Sequence, residues 1–177
     1  MALLPLHLLG LPVLRERSAD VAQVDDRVRA FIANLFETMD AEQGAGLPAN
    51  QVGVAERIAV VDANGDRFAM VNPRIVESTG AQTGEEGCLS IPDVFADVTR
   101  AERVVIEALD EQGQPYRREA TGLAARAIQH EIDHLDGVLF IDRLGPIRRK
   151  MILARWKKEH KDGQYIKTVE PKAGSRE

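Results

Sequence analysis

The 177-residue chain has 44% hydrophobic and 29% charged residues and a formal net charge of −5, the balance of one folded soluble domain rather than a disordered chain or a chain-wide nucleic-acid surface. No apolar run nears the roughly 20 residues that span a bilayer. The single cysteine, Cys88, cannot form an internal disulfide, and the apolar N-terminus lacks the basic start and cleavage site of a signal peptide, so a reducing, cytoplasmic setting is expected.

Between Val24 and Glu42 the apolar residues Val28, Phe31, Ile32, Leu35, Phe36 and Met39 recur at the spacing of an amphipathic helix, which ends before the glycines at 44 and 46. Three segments then read as strands: "RIAVVDA" (57 to 63), "RFAMVNP" (67 to 73) and a hairpin over 102 to 120 that turns at Glu111 to Gln114. After Gly122 a helical face returns at Leu123, Ala127, Ile128, Ile132 and Leu135, with Gly137 placed to stop it. A further helix is predicted over 147 to 161, rich in Lys and Arg. From Asp142 onward 11 Lys/Arg stand against 5 Asp/Glu, a surplus of +6 against −11 for residues 1 to 141.

These elements predict an α+β domain over residues 1 to 165. Antiparallel or mixed sheets pack around a central helix carrying "HEIDH", with an N-terminal and a C-terminal helix, and residues 166 to 177 form a disordered tail.

That central helix places His130 and His134 one turn apart, able to present ring nitrogens to one metal ion, with Glu131 beside them as a base for a water. The same spacing also occurs by chance between ordinary histidines. A catalytic site of this kind wants three protein ligands and an open position. Downstream, position 140 is Phe140 where some zinc proteases have a histidine, and Glu159 and Glu170 lie in a cationic helix and the tail. Cys88 is the better third ligand, since its thiolate suits a borderline or soft ion. It sits in "EEGCLSIP" (85 to 92), where Gly87 frees the backbone and Pro92 limits a strand. The competing reading is a buried structural cysteine.

Three segments, "GAGLPANQ" (44 to 51), "EGCLS" (86 to 90) and "QHEIDHL" (129 to 135), resemble in order and spacing the three motifs of peptide deformylases, which remove the N-formyl group from the initiator methionine of nascent proteins. The likeness covers roughly residues 5 to 165 and is closest to class I members with a C-terminal helix. It implies Cys88, His130 and His134 as metal ligands, Glu131 as general base, and the Gln51 amide and Leu89 N–H as oxyanion donors. It also implies a methionine pocket at Ala45, Gly46, Leu47, Glu86, Gly87, Leu123, Arg126 and Ala127. Arg126 replaces a more apolar residue, and either covers the pocket with its stem, its head reaching Glu86 or solvent, or faces solvent beside it.

The resemblance further implies Fe²⁺ as the metal, with Zn²⁺, Ni²⁺ or Co²⁺ as replacements, and formyl-methionyl nascent peptides as partners, with no membrane or DNA expected. The basic helix at 147 to 161 either docks on the ribosome through Arg148, Arg149, Lys150, Lys157, Lys158 and Lys161 or is an ordinary solvated helix. One departure stands out. Pro48 occupies a place usually held by alanine, and its missing N–H could shift the loop that holds Gln51. Two other functions share some of these residues: a zinc-type endopeptidase, whose third ligand would not be Cys88, and a degenerate deformylase that only binds N-termini, which would have lost Glu131, Gln51 or a ligand.

Overall fold

The computed structural model describes residues 2–171. In chain order the elements are β1 (Leu6–His7), α1 (Asp26–Ala41), β2 (Gly46–Pro48), β3 (Ile58–Ala63), β4 (Asp66–Thr79), β5 (Gln82–Cys88), β6 (Ile91–Arg100), β7 (Arg103–Leu109), β8 (Pro115–Thr121), α2 (Gly122–Leu135), α3 (Pro146–Glu159) and β9 (Ile166–Lys167). The fold is α+β. An antiparallel sheet in the order β2-β3-β4-β7-β8 is joined by a β5-β6 hairpin and a β1-β9 pair.

Alternation along β3 explains the layering. Ile58 and Val60 face the core shared with Val28, Ile32, Leu35 and Met39 of α1, whereas Ala59 and Val61 face the core shared with Ala125, Ile128, Ile132 and Leu135 of α2. The sheet therefore lies between the two helices, and β3 is apolar from Ile58 to Val61 because both faces are covered there. α1 starts where the Asp25 carboxylate accepts the Val28 N–H at 3.0 Å.

Two expectations need correction. Residues around Pro92 form a strand after all: β6 runs from Ile91 to Arg100 with Pro92 at its second position, paired with β5 across a bulge between Gly87 and Cys88. The expected tail also begins as structure. Ile166 and Lys167 pair with His7 and Leu6, and Val169 is buried in the α1 core. The remainder of that tail, 172 to 177, lies outside the described residues. In α3 only Trp156 is buried; its Nε1–H donates to the Leu9 carbonyl at 2.8 Å.

Candidate metal centre and cavity

The last turn of α2 is clamped from outside the helix. Asn50 Nδ2 donates to the His134 carbonyl at 2.6 Å, and Arg57 Nη1 donates to the Leu135 carbonyl at 3.2 Å and to Asp136 at 2.8 Å. These donors take up carbonyls that a helix end leaves without partners, and they fix the axis on which both histidines ride.

His130 Nε2 lies 3.1 Å from His134 Nε2, and His134 Nε2 lies 3.3 Å from Cys88 Sγ. The three donor atoms are all within 4.8 Å of one another. Ligands at usual zinc-like bond lengths in a tetrahedron stand about 3.3 Å (N to N) and about 3.6 Å (N to S) apart, so the spacing suits one ion. The tautomer fits as well. His130 Nδ1 meets Glu86 Oε1 at 2.9 Å, which places its proton there and leaves the Nε2 lone pair aimed at the cluster. Burial alone would lower the pKa of His130, yet Glu131, Cys88 and Glu86 outweigh it and lift the value to about 10. Anionic surroundings thus favour positive charge at this spot, as a bound cation supplies.

Glu86 is the hub behind the ligands. Its carboxylate accepts from Arg100 Nε at 2.6 Å, Arg100 Nη2 at 2.8 Å, Arg126 Nη1 and His130. Burial would raise its pKa, but the bonds from His130 and Arg100 hold it at about 2. Arg100 also donates from Nη1 to Asp133 at 2.9 Å, and Arg143 closes on the same carboxylate at 2.7 and 2.8 Å. The head of Arg126 is therefore turned inward onto Glu86 and the Val98 carbonyl, and the solvent-facing alternative is wrong.

Glu131 is only 4% exposed, and burial pushes its carboxyl up to about 7 against the pull of His130 and Arg100. It fits because Gly46 has no side chain: a Cβ there would stand 2.2 Å from Glu131 Oε2. Gln51, 2% exposed, donates from Nε2 to Cys88 Sγ at 3.0 Å and to Ser90 Oγ at 2.7 Å, and Ser90 Oγ donates to the His7 carbonyl at 2.6 Å. Leu89, next to Cys88, packs its side chain against the α1 core.

Pro48 leaves this arrangement undisturbed. The Asp62 N–H donates to the Ala45 carbonyl at 2.9 Å, and Gly46, Leu47 and Pro48 face Val61, Val60 and Ala59. Bonded and non-bonded pairs alternate along an antiparallel ladder, so Pro48 falls in a non-bonded pair. Its nitrogen points away from β3 on the outer side of an edge strand, where a missing N–H costs no ladder bond.

A cavity of about 410 Å³ opens over the centre, walled by Ala45, Gly46, Gln51, Glu86, Gly87, Cys88, Leu89, Leu123, Arg126, Ala127, His130 and Glu131. Leu47, expected in the pocket, is not among its walls. Strand alternation turns its fully buried side chain into the α1 core, opposite to Gly46. Further walls are Phe95 of β6, 57% exposed, and Lys167 of β9. Ser90 and Asp133 stand inside the quoted motifs and could have been singled out as polar partners; Arg100, Phe95 and Lys167 carry no signal in the sequence.

Comparison with known proteins shows the family. The family model described as polypeptide deformylase matches residues 3–150. The peptide deformylase of Alkalilimnicola ehrlichii is 48% identical over 168 residues, covering 93% of this chain and 94% of the relative, and that of Neisseria meningitidis is 49% identical over 144 residues, covering 80% and 86%. The crystal structure of a peptide deformylase from Legionella pneumophila superposes with a TM-score of 0.85 at 39% identity, covering 92% of this chain and 98% of that one. That of the Ehrlichia chaffeensis enzyme in complex with actinonin gives 0.86 at 35%, covering 90% and 98%.

Proposed function

The chain belongs to the polypeptide deformylase family, and we propose that Cys88, His130 and His134 hold the divalent metal of this enzyme while Glu131 moves the protons. The reaction is hydrolysis of the formamide C–N bond at the formylated N-terminal methionine of nascent polypeptides, releasing formate. The observation that carries the division of roles is the convergence of one sulfur and two imidazole nitrogens beside a buried carboxylate.

A thiolate with two imidazoles favours Fe²⁺ as the native ion, with Zn²⁺, Ni²⁺ or Co²⁺ able to replace it. When bound, the ion supplies Lewis acidity to water and to the formyl oxygen. Glu131 accepts the proton of the attacking water and delivers it to the leaving amine from its buried place beside the ligands. As negative charge grows on the formyl oxygen, the Gln51 amide and the Leu89 N–H donate to it. Ser90 holds the Gln51 amide by one N–H, and the N–H now on Cys88 is the one that turns to the oxyanion. The methionine side chain enters the cavity between Ala45, Gly46, Glu86, Gly87, Leu123, Arg126 and Ala127.

The test is formate release from a formyl-Met tripeptide by anaerobically purified protein loaded with Fe²⁺ or Ni²⁺. Glu131→Gln is expected to lower turnover at least a hundredfold with metal content unchanged. Metal-loaded parent protein that releases no formate would defeat the assignment.

For partners, α3 offers exposed Arg148, Lys150, Lys157 and Lys158 together with Ile147 and Met151, which are 77% and 68% exposed. This face suits rRNA phosphates, and Lys161 extends it, whereas Arg149 turns back to Asp142. Lys157→Ala/Lys158→Ala should weaken ribosome co-sedimentation at low salt; equal binding by the variant removes the idea. No helix among the described residues is long and apolar enough to cross a membrane, and work on nascent chains supports a cytoplasmic location.

A further inference from the structure

The C-terminal return lies beyond the family match, which ends at residue 150, yet it supplies a wall of the cavity. It is built into the fold at several points. The Leu8 N–H donates to the Tyr165 carbonyl at 2.8 Å, Ile166 and Lys167 pair with His7 and Leu6, and Val169 is buried beside Leu6 in the α1 core. The backbone of Lys167 is therefore anchored on both sides, and its side chain, 45% exposed, borders the cavity next to the Gly44–Gly46 loop. Its Nζ lies 3.0 Å from Glu42 Oε2. Of the other basic side chains in the wall, Arg126 is buried and committed to Glu86, and His130 belongs to the metal centre. Among the described residues Lys167 is the exposed positive charge of the lining, which elsewhere carries the exposed carboxylates of Glu85 and Asp93.

We infer that Lys167 is a specificity residue of the deformylation site, receiving a side-chain carboxylate of the peptide one or two residues beyond the formylated methionine. This rests on the cavity being the substrate site, as proposed above. With the methionine side chain seated over the metal centre, the rest of the peptide leaves through the mouth, past an ammonium that Glu42 holds in place. An incoming carboxylate competes with Glu42 for that ammonium.

The rivalry makes the inference testable, because the Lys167–Glu42 ion pair is lost in either of two variants. If the pair merely ties down the loop, both variants change KM in the same direction. If Lys167 binds substrate, Lys167→Ala raises KM for acidic peptides and Glu42→Gln lowers it. The measurement is kcat and KM on C-terminally amidated formyl-Met-Asp-Ala, formyl-Met-Ala-Asp and formyl-Met-Ala-Ser, so that the only carboxylate is the side chain's. Lys167→Ala is expected to raise KM for the better Asp peptide about fivefold relative to the Ser peptide, the upper end for an exposed ion pair, and Lys167→Arg to restore the preference. A relative change below twofold, or shifts of the same sign in Lys167→Ala and Glu42→Gln, overturns the inference. Parent protein that releases no formate from any peptide defeats the functional assignment instead.

Discussion

Replacing Gly46 by alanine tests whether the position of Glu131, rather than its mere presence, sets the rate. The added Cβ would stand 2.2 Å from Glu131 Oε2, 2.7 Å from Cδ and 2.8 Å from Cγ, where ordinary contact begins at 3.4 Å. The carboxylate must therefore retreat by about 1 Å, and it is the mobile partner, since Gly46 is held in β2 by the ladder with β3. A misplacement of about 1 Å at a reacting group costs about 10²-fold in rate, or about 2.7 kcal/mol in the barrier. Overpacking costs the fold about 1–3 kcal/mol, a melting-point drop of roughly 2–10 °C for a chain of this size. The three atoms nearest the new methyl all belong to Glu131 and not to Cys88, His130 or His134, so metal content should match the parent. Steady-state formate release, metal analysis and circular dichroism together decide the matter. A Gly46→Ala protein that keeps its metal and works within threefold of the parent would refute the reasoning.

Ser90→Ala removes the acceptor that holds the Gln51 amide; kcat/KM should fall about tenfold, the worth of one buried hydrogen bond, with metal content unchanged, whereas an equal loss of metal would point to Cys88 instead. Glu86→Gln leaves Arg100 and Arg126 buried without their carboxylate and deprives His130 of its partner. Urea unfolding should show a loss of about 3–5 kcal/mol, and chelator competition a metal affinity about 10–100-fold lower. Asp142 ties Arg15, the Leu139 N–H and Arg149 together. Burial alone would raise its pKa, but the bonds from Arg15, Leu139 and Arg149 bring it below the ordinary 3.8. A depressed carboxylate stabilises the fold above its unfolded pKa and loses that contribution as pH falls through its folded value. Asp142→Asn should therefore cost about 1 kcal/mol at pH 7, and the gap to the parent should narrow as pH falls below the ordinary 3.8; a gap that widens on acidification contradicts this.

α1 and α2 were legible because each buries one face at a helical period. Asp25 and Gly137 mark two of their ends, and α1, α2 and α3 fall within about two residues of their expected spans. The β7–β8 hairpin was legible from β-branched runs around a turn. β5 and β6 were not: Gly84, Gly87 and Pro92 interrupt any pattern, and both strands leave many residues exposed, as their pairing with each other and not with the main sheet requires. β9 was missed because two exposed residues carry no periodicity; only their meeting with Leu6 and His7 makes them a strand.

The same division runs through the site. The sequence alone determined the candidate ligands, the candidate base beside them and the family, because those depend on residue identity at short spacing along one helix and in short motifs. It could not determine that Arg100 joins Glu86 to Asp133, that Pro48 falls in a non-bonded pair, that Leu47 turns away from the cavity, or that Lys167 stands at its mouth. Each of these depends on strand register or on contacts between residues far apart in the chain. Packing chooses such pairings through the burial of both partners together, and no local pattern in either partner records that choice.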